Sequence, residues 1–336
     1  MQKNTKPGQH KKLLAILVAN SLLAGQAVAE EPLFALGTIQ VSARKAEIGE
    51  IGVDQVSSVI TLEEMKKFNR DDVGEAVNLA SGVTITLGGQ RNERTINLRG
   101  FDSRQTPLFI DGIPVYVPYD GNVDISRFTT ADLAAIQIAK GFSSVSYGPN
   151  VMGGAINLIS RKPRTALEGD ASLGFGSGNE RQTSVNVGSN LGMWYLQAGA
   201  SYRESDYFPM SSDYKPTTRE DGGHRQNSYS KDQKLSFKLG LTPNASDEYA
   251  ISYIKQDGEK GQPPSTYPSV NKFWQWPYWN KESLYFVSRT ALGEHETLKV
   301  RLYDDKFKNS LHIFSNGTYT TIANPVTDIS AYDDET

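Results

Sequence analysis

The sequence predicts an α+β domain followed by an antiparallel transmembrane β-barrel that is incomplete within these 336 residues. Three observations carry this. Before residue 163, short apolar runs of helical and alternating spacing are mixed. From Glu168 onward, segment after segment alternates apolar and polar residues, as strands with one dry and one wet face do. Between them, residues 141–163 (GFSSVSYGPNVMGGAINLISRKP) combine a dense turn, a Gly153-Gly154 pair suited to close backbone packing, an alternating strand and a closing Arg161-Lys162-Pro163.

Composition narrows the function. Mean hydropathy is −0.46, which a barrel tolerates because lipid-facing and lumen-facing residues cancel. A net charge of −3 supplies no basic field for nucleic acid. No cysteine is present, which excludes disulfides, thiolate nucleophiles and thiolate-bound metal. His10, His224, His295 and His312 are scattered without metal-ligand spacing, and no nucleophile elbow or phosphate loop occurs. Neither an enzyme nor a cofactor is expected.

Residues 1–29 read as a Sec signal peptide. Four lysines precede the apolar run 13–23, and Ala27-Val28-Ala29 supplies a cleavage pattern. In the segment 30–45, Thr38, Ile39, Gln40, Val41, Ser42 and Ala43 alternate as a mobile strand without an obvious partner. Such a strand can be the first of the domain or be donated to another protein's sheet edge. A strand over 57–61 leads to a helix with Thr61 as N-cap and Glu64 closing a capping box. A second helix opens at Asp71-Asp72 and ends near Gly82. Strands are expected at 83–87, 95–99 and 107–110, the last turning through Asp111-Gly112. Residues 130–139 are expected to form a helix with Leu133 and Ile136 inward.

Beyond residue 163, Leu173 and Phe175, Val185 and Val187, Trp194 and Leu196, Leu235, Phe237 and Leu239, Ile251, and Leu298 and Leu302 define one apolar face. Short turns at 192, 243–244 and 293 alternate with long loops at 207–227, 258–280 and from 310 onward, as in outer-membrane barrels. The chain is expected to finish in an external loop.

Two loops of the first domain, 88–94 and 115–122, offer Arg91, Arg94, Tyr116 and Tyr119 to a ligand. The long loop 258–280 offers Tyr267, Trp274, Trp276 and Tyr278. Tyr and Trp give large, rigid contact area at low entropy cost, which suits a bulky, partly aromatic ligand. The alternatives are an aromatic belt at the membrane interface and, for the arginines, structural ion pairs.

Three runs occur in order: Leu98-Arg99-Gly100-Phe101, Ile110-Asp111-Gly112-Ile113-Pro114-Val115, and the YGPN and MGGAINLISRKP runs of 147–163. Together they resemble the plug domain of TonB-dependent outer-membrane receptors. The resemblance implies a plug over 46–163 and the N-terminal part of a β-barrel over 164–336, with about 7 strands of about 22. A chain of that length cannot close a barrel, and the rest of a longer receptor is expected. The resemblance also implies that Thr38–Gln40 and the three residues after them are a TonB box. The partners are then TonB with its inner-membrane energising complex, an iron chelate and outer-membrane lipid. The cargo is expected to be a ferric siderophore, with haem, cobalamin or another metal chelate as alternatives. A non-transporting surface adhesin is the rival reading.

Overall fold

The computed structural model describes residues 38–40, 48–51, 57–88, 93–117, 121–141, 148, 150–266 and 272–336. The first domain is built on a six-stranded sheet. Its strands are β1 (Thr38–Gln40), β2 (Ser57–Thr61), β5 (Leu108–Ile110), β6 (Ile113–Pro114), β7 (Leu133–Lys140) and β8 (Gly154–Ser160), in the order β1-β2-β7-β8-β5-β6. Only β5 and β8 run parallel. A separate hairpin joins β3 (Val83–Gly88) to β4 (Glu93–Leu98). Helices α1 (Leu62–Lys67) and α2 (Val73–Val77) cover the sheet through Met65, Val73 and Val77, all buried against Ile60, Ile136 and Leu158.

Local chemistry explains these elements. The Thr61 hydroxyl accepts from Glu64 N–H at 3.2 Å, and the Glu64 carboxylate accepts from Thr61 N–H at 2.8 Å, so the expected capping box forms. Asp72 caps α2 by accepting from Glu75 N–H at 2.8 Å. The β5–β6 turn places Asp111 and Gly112 at φ +50° and +77°, the left-handed pair that a two-residue hairpin needs. At Gly154, with φ +134°, a Cβ would lie 2.1 Å from the Ala139 carbonyl oxygen. Only glycine lets β8 lie this close to β7.

The expected helix at 130–139 is instead strand β7, paired with β2 on one side and β8 on the other. Ile136 and Ile138 are buried around Gln137, which is also buried and accepts from Ile51 N–H. Pairing on both edges and two β-branched isoleucines outweigh the helix propensity of the alanines. The strand at Thr38–Gln40 also gains a partner, pairing antiparallel with Ser57–Val59 at the sheet edge. Val41, Ser42 and Ala43 lie outside the described residues.

The second part is an eight-stranded antiparallel sheet, one strand more than expected. Its strands are β9 (Glu168–Gly176), β10 (Glu180–Asn190), β11 (Trp194–Ser205), β14 (Ser230–Leu241), β15 (Glu248–Gly261), β16 (Phe273–Ala291), β17 (Thr297–Phe314) and β18 (Ile329–Glu335), neighbours in that order. A small hairpin, β12 (Phe208–Pro209) with β13 (His224–Arg225), sits in the connection between β11 and β14. The expected terminal loop is β18.

The expected loop 258–280 is also mostly strand. Its polar residues Asp257, Glu259, Asn280 and Glu282 belong to strand ends that continue beyond the apolar band. There alternation fades from the sequence although pairing persists.

The predicted faces are observed. Leu235, Phe237 and Leu239 point outward and are exposed, while Lys234, Lys238, Ser252 and Gln256 are buried against the first domain. On β14 the outward apolar run covers 235–241, about 20 Å along the strand, close to the height of an outer-membrane apolar band. Inside, Tyr195 lies across its cross-strand partner Gly240, where a Cβ would meet the ring at 2.0 Å.

Candidate functional site

The first domain sits against the inner face of this wall through charged pairs. Their residues are far apart in sequence. Asp111, in the left-handed turn, accepts from Lys238 Nζ at 2.8 Å, Tyr285 OH at 2.9 Å and both the N–H and hydroxyl of Ser160. Burial alone would raise its carboxyl, but the Lys238 ammonium and the Ser160 donors more than offset this and hold it below the usual carboxylate range. Asp132 pairs with Lys234 at 2.9 Å, and Arg127 with Asp232 at 3.0 Å. Lys162 Nζ reaches Glu248 at 2.8 Å, where the Tyr195 hydroxyl also donates.

The long connections 206–229, 262–272 and 315–328 all leave the same end of the wall. There the geometry links two of the sequence-predicted groups. Arg94 N–H donates to Asp124 at 3.1 Å. Asp124 accepts from Lys260 Nζ at 2.7 Å, and Lys260 lies 5.1 Å from the centre of the Trp276 ring. For Asp124, burial raises the carboxyl, and Lys260 together with Arg127 brings it below its ordinary value. The Arg94 guanidinium pairs with Asp72 at 3.0 Å and stands 3.6 Å from Glu75. Burial beside Asp72 raises the Glu75 carboxyl. Asp72 also accepts from Arg203 of β11 at 2.9 Å, so Arg94 belongs to a structural ion-pair network.

Trp274 and Trp276 are 6.3 Å apart, edge to face. They stand on β16, which corrects their expected place in a loop. Trp276 is 5% exposed and is therefore largely covered, whereas Tyr116 is 53% exposed. Tyr278 is half-buried on the same strand. Arg91, Tyr119 and Tyr267 lie outside the described residues.

A β-bulge between Gln275 and Tyr278 shifts the parity of β16, so Trp276 and Trp279, three apart, both turn inward. Sequence reasoning missed three cations at this end. Lys272 lies over Trp274 at 4.6 Å, Arg219 over Phe273 at 5.8 Å, and Lys260 over Trp276. The Lys272-Phe273-Trp274 run was the one visible signal for them. Asn227 fastens the 206–229 connection to this rim. Its amide donates to the Gln262 and Trp274 carbonyls at 2.7 and 2.8 Å and accepts from Gln275 at 2.9 Å.

Residues 51–155 match the family model described as the TonB-dependent Receptor Plug Domain. Among solved structures, the fold is similar to three receptors. The first is P. aeruginosa FpvA bound to a heterologous ferric pyoverdine, at 17% identity and TM-score 0.61 over 77% of this chain and 35% of that one. The second is the copper transporter OprC, at 16% identity and TM-score 0.66 over 86% and 43%. The third is the siderophore receptor PirA from Acinetobacter baumannii, at 18% identity and TM-score 0.60 over 83% and 44%. At these identities the likeness is one of fold, and the chain spans less than half the length of those receptors.

Proposed function

Since this chain carries a TonB-dependent receptor plug domain seated against a receptor-type strand wall, we propose that it serves TonB-dependent uptake of a metal chelate across the outer membrane, with a ferric siderophore as cargo. The observation that carries the reading is the linked path Arg94–Asp124–Lys260–Trp276. It ties the plug to the aromatic and cationic rim, so a ligand held at the rim acts directly on the plug. Tyr116, Trp274 and Tyr278 are placed to contribute contact area, with Lys260, Lys272 and Arg219 favouring an anionic chelate. Structural likeness to a copper transporter supports a second reading, in which the chelated metal is not iron.

In this reading the segment Thr38, Ile39, Gln40, Val41, Ser42 and Ala43 is the TonB box. TonB engages it by strand pairing. Ile39→Pro removes a backbone donor from that pairing. In the receptor on cells, uptake should be abolished while surface level and ligand binding persist. Unchanged uptake would remove the TonB assignment from this segment. If binding without uptake is already the behaviour of the unmodified receptor, the chain is a surface adhesin.

A further inference from the structure

The plug does not meet its wall in the same way all round. Against β15, β16 and β17 the contact is apolar. Ala250, Ile254, Trp279, Tyr285, Val287 and Phe307 are buried in one continuous cluster with the plug core. Phe128 of the plug stands edge to face with Trp279 at 5.9 Å, and Trp279 with Phe307 at 5.2 Å. Against β9, β10, β11 and β14 the contact is polar and open. A cavity of about 340 Å³ lies there, with room for on the order of ten waters. Its wall side carries Arg203, Asp232 and Lys234, and its plug side Arg70, Asp72 and Arg127.

These two sides resist separation differently. Opening the apolar side exposes hydrocarbon to water, and every part of that surface opposes it. On the polar side, each broken contact is replaced by one to water. The Arg203–Asp72 pair at 2.9 Å and the Gln182–Asp71 hydrogen bond at 2.9 Å are half-exposed at their wall ends and already border the cavity.

We propose that a polar solute passes the plug on this side. The cavity between the plug and β9–β11 and β14 is the preformed first segment of the route, and Arg203 and Gln182 are the wall residues that release the plug. The apolar seat on β15–β17 stays closed as the plug remodels. The proposal rests on the transport reading above and adds to it the side of the lumen that the solute uses.

The test exploits the absence of cysteine from these 336 residues. Ser201→Cys and Ser184→Cys place a thiol at the cavity wall, and Ala250→Cys places one in the apolar seat. The receptor on intact cells is treated with sulfonatoethyl methanethiosulfonate, a hydrophilic thiol reagent. Uptake is then followed with radioactive ferric iron presented as a catecholate and as a hydroxamate chelate.

The two cavity variants should label in the folded receptor, and their uptake should fall in proportion to the fraction labelled. Chelate binding to the cell surface should persist. Ala250→Cys should label only after denaturation. Labelling of the cavity thiols without loss of uptake overturns the proposal, as does protection of both cavity thiols until the protein is denatured. Equal labelling of Ala250→Cys in the folded state removes the asymmetry on which it stands. If the unmodified receptor accumulates neither chelate, the iron-transport reading itself fails, an outcome separate from these three.

Discussion

Asp111→Asn tests the seating of the plug most directly. Asp111 is 2% exposed and adopts φ +50°, a conformation that Asn tolerates, so the backbone turn survives the change. What is lost is the charge that faces Lys238 and the acceptor oxygen shared by Tyr285 and Ser160. The Lys238 side chain is only 10% exposed. Removing one partner strands a buried ammonium, a change that costs about 3–5 kcal/mol.

Lys238→Met leaves the carboxylate with the Tyr285 hydroxyl and two Ser160 donors, so its cost should be smaller, about 1–3 kcal/mol. In the double variant the stranded ammonium is gone, so it should be more stable than Asp111→Asn alone. The assay is hydrogen exchange of the Gly154–Ser160 amides in the detergent-solubilised receptor. At about 1.4 kcal/mol per tenfold, Asp111→Asn should lower their protection by roughly two to three and a half orders of magnitude. Simple additivity of the two single variants would refute the idea that Asp111 and Lys238 act as a pair.

Two further outcomes follow from geometry and charge. Gly154→Ala drives a methyl into the Ala139 carbonyl and should cost more than about 4 kcal/mol, leaving the plug sensitive to protease. Gly100→Ala, at φ +88° but with nothing within 4 Å, should cost only about 1–2 kcal/mol. On acidification, the depressed carboxyls of Asp111 and Asp124 contribute stability that is complete above their ordinary 3.8 and lost as pH falls through their lower folded values. Glu75 has the opposite sign, its contribution fading as pH rises from 4.5 through its raised value. Hydrogen exchange of the plug between pH 3 and 6 should therefore show a loss of protection at the acid end. Asp111→Asn should flatten that loss.

Much of the fold was legible wherever the deciding interaction is local or strictly periodic. The Thr61–Glu64 capping box spans three residues, the Asp111-Gly112 turn two, and the outward leucines of β14 repeat every second position. Strand β7 was misread because its alanines and spacing suit a helix and the two partner strands that claim it lie elsewhere in the chain. The strand ends beyond the apolar band were misread because both of their faces are wet. The candidate site was least legible of all. The Asp124–Lys260 contact joins residues 136 apart, and Trp276 turns inward only because a bulge changes the parity of its strand. Arg94 was visible as a loop cation, but its partner Asp72 could be read only as a helix cap.

Tyr195 and Gly240 have a consequence for assembly. In an antiparallel sheet of period two, slipping a strand by two residues keeps every side chain on its proper face, so alternation alone leaves several alignments degenerate. The missing Cβ at Gly240 is a notch that admits the Tyr195 ring. A two-residue slip of β14 against β11 would bring Lys238 or Thr242 beneath that ring, and neither leaves room for it. The pair thus acts as a proofreading mark, letting two strands with interchangeable outward faces settle in one alignment.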